Sequence, residues 1–189
     1  SLHHNGEVCL FPMLARNRRL ERKPEVFSFL EVNGFQIDRV IDYSYYELEN
    51  IFLEGTGSII LDRKNKIAYC SVSKRSNEDL FYKFCKDFEF LPIIFSSFQS
   101  VNNKRLPIYH TNVMMCLASD YVVICLDSID NKNHKKLVID SIKKSGKELV
   151  EINESQVENF AGNMLELIND KGESVLIMSK RAKNSLNEK

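Results

Sequence analysis

The apolar positions of this chain fall into short runs broken by turn residues, and the runs recur. The clearest unit starts at Glu54. Residues 58–61 (SIIL) form a short apolar strand, Asp62-Arg63-Lys64-Asn65 supplies turn residues, and 66–72 (KIAYCSV) is a second strand rich in β formers. A helix follows, predicted to open at Ser76 with Asp79 as the acidic partner of a capping box. Leu80, Phe81, Phe84, Cys85 and Phe88 recur along it at helical spacing and form its apolar face. Residues 92–95 (PIIF) close the unit as another strand.

The same order returns from His110. Residues 113–117 (VMMCL) and 121–126 (YVVICL) read as strands around the turn Ala118-Ser119-Asp120. A helix is predicted over 131–145 with Gly146 placed to end it, and 148–152 (ELVEI) is the closing strand. A further unit starts near Ala161, with strands 163–168 (NMLELI) and 174–178 (SVLIM) around Asn169-Asp170-Lys171-Gly172, before a charged, helix-prone tail over 180–189. The N-terminal stretch fits the back of an earlier unit. It has a strand over 7–11, a helix from Pro24 containing Val26, Phe27 and Leu30, an end at Asn33-Gly34, and a strand over 37–41.

The closing strands end at Asp42, Phe95 and Ile152, 53 and 57 residues apart. A period of roughly 50 residues points to units stacked around an axis. A plain β-propeller blade has no helix, and a solenoid of this period has fewer strands. The expected fold is therefore α/β: an α/β propeller of ββαβ repeats. Residues 1–189 are expected to form a single domain of about three and a half units, beginning and ending inside a unit.

Composition narrows the partners. With 189 residues, 43% of them hydrophobic, there is material for one sizeable core. Lys and Arg number 26, as do Asp and Glu, so the zero net charge offers no electrostatic footprint for nucleic acid. There is no apolar run of the ~18 residues a membrane helix needs, and no signal-peptide pattern. The five cysteines (Cys9, Cys70, Cys85, Cys116 and Cys125) are odd in number and form no CxxC pair, so neither a metal nor another cofactor is expected. A reduced, cytoplasmic location follows as the default. Four of these cysteines sit in predicted strands and Cys85 on an apolar helix face, the pattern of small buried hydrophobes. The basic stretch Arg16, Arg18, Arg19, Arg22 and Lys23 is interrupted by Glu21 and reads as a solvated face at the start of a helix. Lys132, His134, Lys135 and Lys136 read likewise, with His134 exposed, and His3 and His4 carry no weight.

Taken alone, His110 would be a structural histidine and Glu54 a solvated turn residue; Gly55, Gly57 and Gly162 would permit tight turns, and Asn163 would pin a turn as readily as touch a ligand. Three stretches change this: 52–58 (FLEGTGS), 108–115 (IYHTNVMM) and 159–165 (NFAGNML). In this order and with the repeat, they resemble the penteins, the superfamily of arginine deiminases and amidinotransferases. They look closest to its arginine-deiminase-related, citrulline-utilisation branch, which residues 10–22 (LFPMLARNRRLER) and 172–179 (GESVLIMS) also resemble.

The resemblance implies a five-bladed α/β propeller and covalent catalysis at a guanidino or ureido carbon. A cysteine thiolate attacks that planar carbon, and a histidine serves as acid and base. His110 takes the histidine's place and Glu54 that of its carboxylate partner; Asn112, Gly57, Thr111 and Asn163 are the residues expected at the substrate. Relatives acting on strongly cationic guanidines carry aspartates where this chain has Asn112 and Gly57, so an arginine- or citrulline-like substrate with a less cationic ureido group is expected. The family's nucleophile lies near the C-terminus after a Gly-rich stretch, and no such segment occurs here. The Cys-His-Glu set is thus expected to lack its thiol, leaving this chain alone inactive, whether the whole protein is a hydrolase or an amidinotransferase. The alternative is a non-catalytic pentein, a binding protein of the translation-factor type or a degenerate enzyme. The expected partner is a small molecule, and an open ring would favour self-association through its apolar edge.

Overall fold

The structure, a computed structural model, describes residues 1–3 and 6–186; His4 and the end of the predicted tail lie outside the described residues. The Glu54 unit forms as expected, with small shifts. Residues Gly55–Ser58 wind into a helical turn, α3, before strand β3 (Ile59–Asp62). The Asp62 carboxylate accepts from the amide of Asn65 at 3.0 Å and closes the turn. Strand β4 (Ile67–Ser71) returns antiparallel with Ile59 opposite Cys70, and β5 (Leu91–Phe95) lies parallel on its other side.

Helix α4 (Glu78–Asp87) makes that parallel crossover. Its cap is Asn77, not Ser76: the Asn77 side chain accepts from Leu80 N at 2.9 Å, while Ser76 is buried and bridges back to Leu53 and Ser73. The helix buries Leu80, Phe81, Phe84 and Cys85, and Phe84 stacks on Phe88 and Phe90 with centroids 4.8 and 6.1 Å apart. Full burial of each such side chain contributes about 1.5–3 kcal/mol, so this face alone fixes the helix on its sheet.

The next unit repeats the design. A short 3-10 turn (Thr111–Val113) precedes β8 (Met115–Leu117), which pairs antiparallel with β9 (Tyr121–Ile124); helix α5 (Lys132–Lys144) leads to β10 (Glu148–Glu151), parallel to β9. Gly146, at φ +75°, ends α5 as expected. Cys125 lies just past β9, yet its amide still donates to Met114 O at 3.0 Å. Helix α6 (Glu154–Glu158), closed by a capping box of Asn153 and Gln156, leads to the antiparallel pair β11 (Leu165–Ile168) and β12 (Ser174–Ile177), followed by helix α7 (Lys180–Ser185).

The N-terminal unit holds more than its back part. Strand β1 (Glu7–Leu10) pairs parallel with β2 (Arg39–Asp42) across α1 (Arg16–Arg19) and α2 (Glu25–Val32). On its free side β1 is met antiparallel by residues 1–3, with Leu2 opposite Val8. Sequence reading also passed over a hairpin, β6 (Phe98–Val101) and β7 (Lys104–Pro107), turned by Asn102 and Asn103 at φ +50° and +60°. All four residues of β7 are exposed, so no alternation marked it as a strand.

The first strands of successive units are neighbours, β3 beside β8 and β8 beside β11. Helices α4 and α5 are wedged between units. Helix α4 joins a core with Cys9, Phe11 and Tyr43 of the first unit, and α5 buries Val138 and Ile142 in a core with Tyr69, Ile93 and Phe95 of the second. Helix α5 also places His134 against β5, where its Nδ1 accepts from Ser96 N at 3.2 Å; the imidazole is half-buried and bound rather than exposed. His3 is likewise a packed residue, stacked on Phe88 at 4.3 Å.

Candidate active site

Glu54 and His110 each stand just before a helical turn at the head of successive units, α3 and the 3-10 turn, and these two turns touch. The repeat therefore brings the two side chains together. His110 Nε2 lies 2.7 Å from Glu54 Oε2. The imidazole is 13% exposed and the carboxylate 2%. A carboxylate only accepts, so Nε2 carries the proton and Nδ1 is the unprotonated nitrogen of the neutral ring. Nδ1 has no hydrogen-bond partner among the described residues.

Glu54 is held from three further directions. Its amide donates to Arg75 O at 3.1 Å and to Ser58 Oγ at 3.0 Å. Oε1 accepts from Leu14 N at 2.8 Å, and Arg75 Nη1 stands 3.5 Å from Oε2. The Leu14 amide belongs to a loop that lies across the site. Glu47 secures that loop by accepting from Met13 N at 2.8 Å and from Arg22 Nη1 at 2.6 Å, while Arg19 Nε donates to Met13 O at 2.9 Å. Arg19 and Arg22 thus tie down the loop, where a solvated basic face was expected. Glu47 is held below the usual carboxylate range: burial works against this, but Arg22, the Met13 amide and Arg19 together outweigh it.

Burial is the largest influence on His110 and lowers its pKa below the ordinary 6.5. The bond and charge of Glu54 pull upward, Arg75 and Arg18 pull downward, and the net displacement is downward. Arg75 is the site residue that sequence reasoning missed. It follows β4, its guanidinium lies 5.1 Å over the Tyr109 ring, and that ring is 5.0 Å from the imidazole. Its only signal was its place after a second strand, at the same end as Glu54.

The four expected substrate residues have different surroundings. Thr111 is fully buried; its hydroxyl donates to Ser58 O and accepts from Ser71 N at 2.8 Å, so it ties β4 to the heads of both units and has no proton left for a ligand. Gly57 lies against the imidazole: a Cβ there would stand 2.9 Å from His110 Cε1 and Nδ1. Asn112 and Asn163 face an open groove of about 580 Å³ with Thr56, Arg63 and Cys116. There Asn163 Nδ2 donates to Asn112 O at 2.9 Å. Gly162 permits this closeness, since a Cβ would lie 2.4 Å from Val113 O. A second cavity, about 520 Å³, opens on the other side of Glu54 between β1, Phe27 and Leu30 of α2, and Arg18.

All five cysteines are buried. Burial pushes the Cys9 and Cys85 thiols up to about 12 and Cys116 up to about 11, and it raises Cys70 and Cys125 as well. Each is a protonated thiol at neutral pH, the opposite of an activated nucleophile.

Small mixed sheets in ββαβ order, with a buried carboxylate–histidine pair at their heads, place the chain in the pentein superfamily of guanidino-group-modifying enzymes. Within it, the chain belongs to the family described as N,N-dimethylarginine dimethylhydrolase, eukaryotic, whose model matches residues 1–189. No curated protein matches the chain. Among solved structures, it is similar to apo ArgZ, an arginine dihydrolase of the ornithine–ammonia cycle in Cyanobacteria (17% identity, TM-score 0.65, covering 97% of this chain and 26% of that one). The N-terminal domain of ArgZ with bound substrate is similar at 20% identity and TM-score 0.63, covering 97% of this chain and 61% of that one. AgrE in complex with ornithine and NAD+ is similar at 20% identity and TM-score 0.61, covering 85% and 21%. At these identities the likeness is one of fold, and the chain spans less than two thirds of the length of each. No helix among the described residues is long and apolar enough to cross a membrane.

Proposed function

We propose that this chain carries the acid–base half of a hydrolase acting at a guanidino or ureido carbon, in a pentein-type propeller of five units. The carrying observation is the 2.7 Å contact between His110 and Glu54, with Nδ1 left free of partners among the described residues. In this reading a thiol supplied from outside residues 1–189 gives its proton to His110 Nδ1 and attacks the planar carbon as the thiolate. His110 protonates the leaving amine and then activates water, while Glu54 orients the ring and favours the imidazolium when it forms. The high thiol pKa values support a nucleophile other than these five cysteines. Relatives of the same fold add support: ArgZ has been captured covalently bound to a reaction intermediate and, as a cysteine-to-serine variant, with its substrate.

Asn112 and Gly57 bring no negative charge, which favours a neutral ureido group, as in citrulline, over a guanidinium. Asn112 and Asn163 are the side chains proposed to face the substrate. The whole protein should be tested on citrulline, arginine and dimethylarginine, with product amines and amino acids read by mass spectrometry. Turnover lost in His110→Ala, with citrulline preferred, is the expected result. Wild-type turnover in His110→Ala sinks the mechanism, and a strong preference for arginine sinks the substrate assignment. The same five buried thiols favour a second reading, a pentein that binds without catalysis; for that protein an amidine affinity reagent labels no cysteine.

A further inference from the structure

We propose that Gly57 is a positioning residue for His110, contributing not a contact to the substrate but the space its missing side chain leaves. The inference rests on the acid–base role given to His110 above and adds what fixes that imidazole's pose.

Gly57 is the third residue of the helical turn α3 and does not adopt a positive φ. Its backbone therefore suits any L-residue, and an alanine there would favour the helical turn by about 1 kcal/mol. What forbids a side chain is His110. An added Cβ would stand 2.9 Å from both Cε1 and Nδ1 and 3.2 Å from Cγ. All three atoms belong to one imidazole, and no other residue supplies one of the three closest contacts. The other glycines differ. Gly162 is pressed against backbone that cannot yield, and Gly55 is at φ +52° against Phe11.

The imidazole must shift, and its bond to Glu54 leaves it little room to do so. Its far nitrogen is 2.7 Å from Glu54, and the carboxylate is itself pinned by Leu14 N. A methyl group at 57 thus forces a choice between the methyl and the His110–Glu54 bond. With the bond broken and the ring pushed outward, the upward pull of Glu54 is lost, but burial, the larger and opposite influence, is relieved with it, so the pKa moves up toward 6.5.

The test is NMR of this 189-residue chain, comparing wild type, Gly57→Ala, His110→Ala and the double variant. Gly57→Ala is expected to abolish the correlation between His110 Nε2–H and Glu54 and to raise the pKa of His110. In the His110→Ala background the ring is gone, so Gly57→Ala is expected to be neutral or stabilising. A Gly57→Ala spectrum with the His110 signals and pKa unchanged overturns the proposal. So does an equal loss of stability in both backgrounds. If Gly57→Ala does not fold, the double variant decides: it folds if the ring is the obstacle and fails if position 57 is intolerant for another reason. In the whole protein, Gly57→Ala should lower kcat by about 10²-fold or more, the usual worth of a positioned acid–base group, with KM within a few-fold. NMR changes as expected without any turnover in the whole protein would sink the functional reading and leave this one standing. Turnover with identical spectra and kcat in wild type and Gly57→Ala would do the reverse.

Discussion

Replacing Glu54 with glutamine isolates the charge of the carboxylate from its shape. The side chain keeps its length and stays buried, but the anion 2.7 Å from His110 Nε2 is gone. In the wild type, Glu54 is what raises the pKa of the imidazole, against burial, Arg75 and Arg18. Its removal leaves only downward influences. Two unit charges about 4 Å apart interact by about 4 kcal/mol at an effective dielectric constant of 20, which sets the ceiling. Arg75 shares the same carboxylate oxygen at 3.5 Å and is half-exposed, so part of that field is already neutralised and screened. The pKa of His110 therefore falls further below 6.5, by less than that ceiling.

The measurement is a pH titration of the His110 ring signals in wild type and Glu54→Gln. Linkage gives an independent check. The folded pKa of His110 lies below its unfolded value of 6.5, so between the two the unfolded chain binds more protons. Stability is therefore fully present above pH 6.5 and is lost as the pH falls toward the folded pKa. Glu54→Gln moves that folded pKa lower and deepens the acid loss. An unchanged or raised His110 pKa would refute the assignment of Glu54 as its charged partner.

Two further outcomes follow from other parts of the structure. Burial and Arg63 lower the pKa of His3 from 6.5 to about 4, and Arg63 Nη1 lies 3.2 Å from His3 Nδ1; stability conferred by the neutral ring is accordingly lost between pH 6.5 and 4. Denaturant titrations in that window should show His3→Gln to be less acid-sensitive than wild type, and equal sensitivity counts against the neutral, stacked ring. Arg105 joins the β6–β7 hairpin to Asp130 and Glu154, with Nη2 2.5 Å from Asp130 Oδ1. Being half-exposed, this network should contribute about 1 kcal/mol. Arg105→Ala should speed amide exchange in residues 98–107 while leaving α4 protected, and uniform acceleration would mean that the hairpin is not a separate opening unit.

Glu54 and His110 were legible because they head repeats: once the period is seen, equivalent positions fall at one end of neighbouring strands. The surroundings of the pair were not legible. Arg75 comes from the end of the second strand of the unit, not from its head, and nothing in Lys74-Arg75-Ser76 marks one basic residue over the other. The Leu14 contact is made by a backbone amide, which any residue but proline would supply. Thr111 looked like a ligand residue because it follows His110, but the 3-10 turn points its hydroxyl inward to Ser58 and Ser71. His3 was set aside for its place near the terminus and His134 on local polarity, yet each is held by a partner distant in sequence: Arg63 and Phe88 for the first, Ser96 for the second. The helices α4 and α5 were read within about a residue at their starts from buried apolar spacing, a local signal, although the α4 cap was placed at Ser76 instead of Asn77.

The loop across the site links these observations. Its Leu14 amide is bound at Glu54 Oε1, while His110 and Arg75 share Oε2. A carboxylate oxygen only accepts, so Nε2 donates to Oε2 and Nδ1 is left unprotonated. Burial first, and Arg75 and Arg18 after it, favour the neutral imidazole over a second positive charge beside the guanidinium groups. An anion placed next to Nδ1, whether a thiolate or a developing negative charge on a substrate, would reverse that balance and draw a proton onto the ring. Under the proposed function the pair would hold a neutral imidazole in one tautomer until negative charge arrives, and Glu47, through Met13, Arg19 and Arg22, keeps in place the loop that pins Glu54.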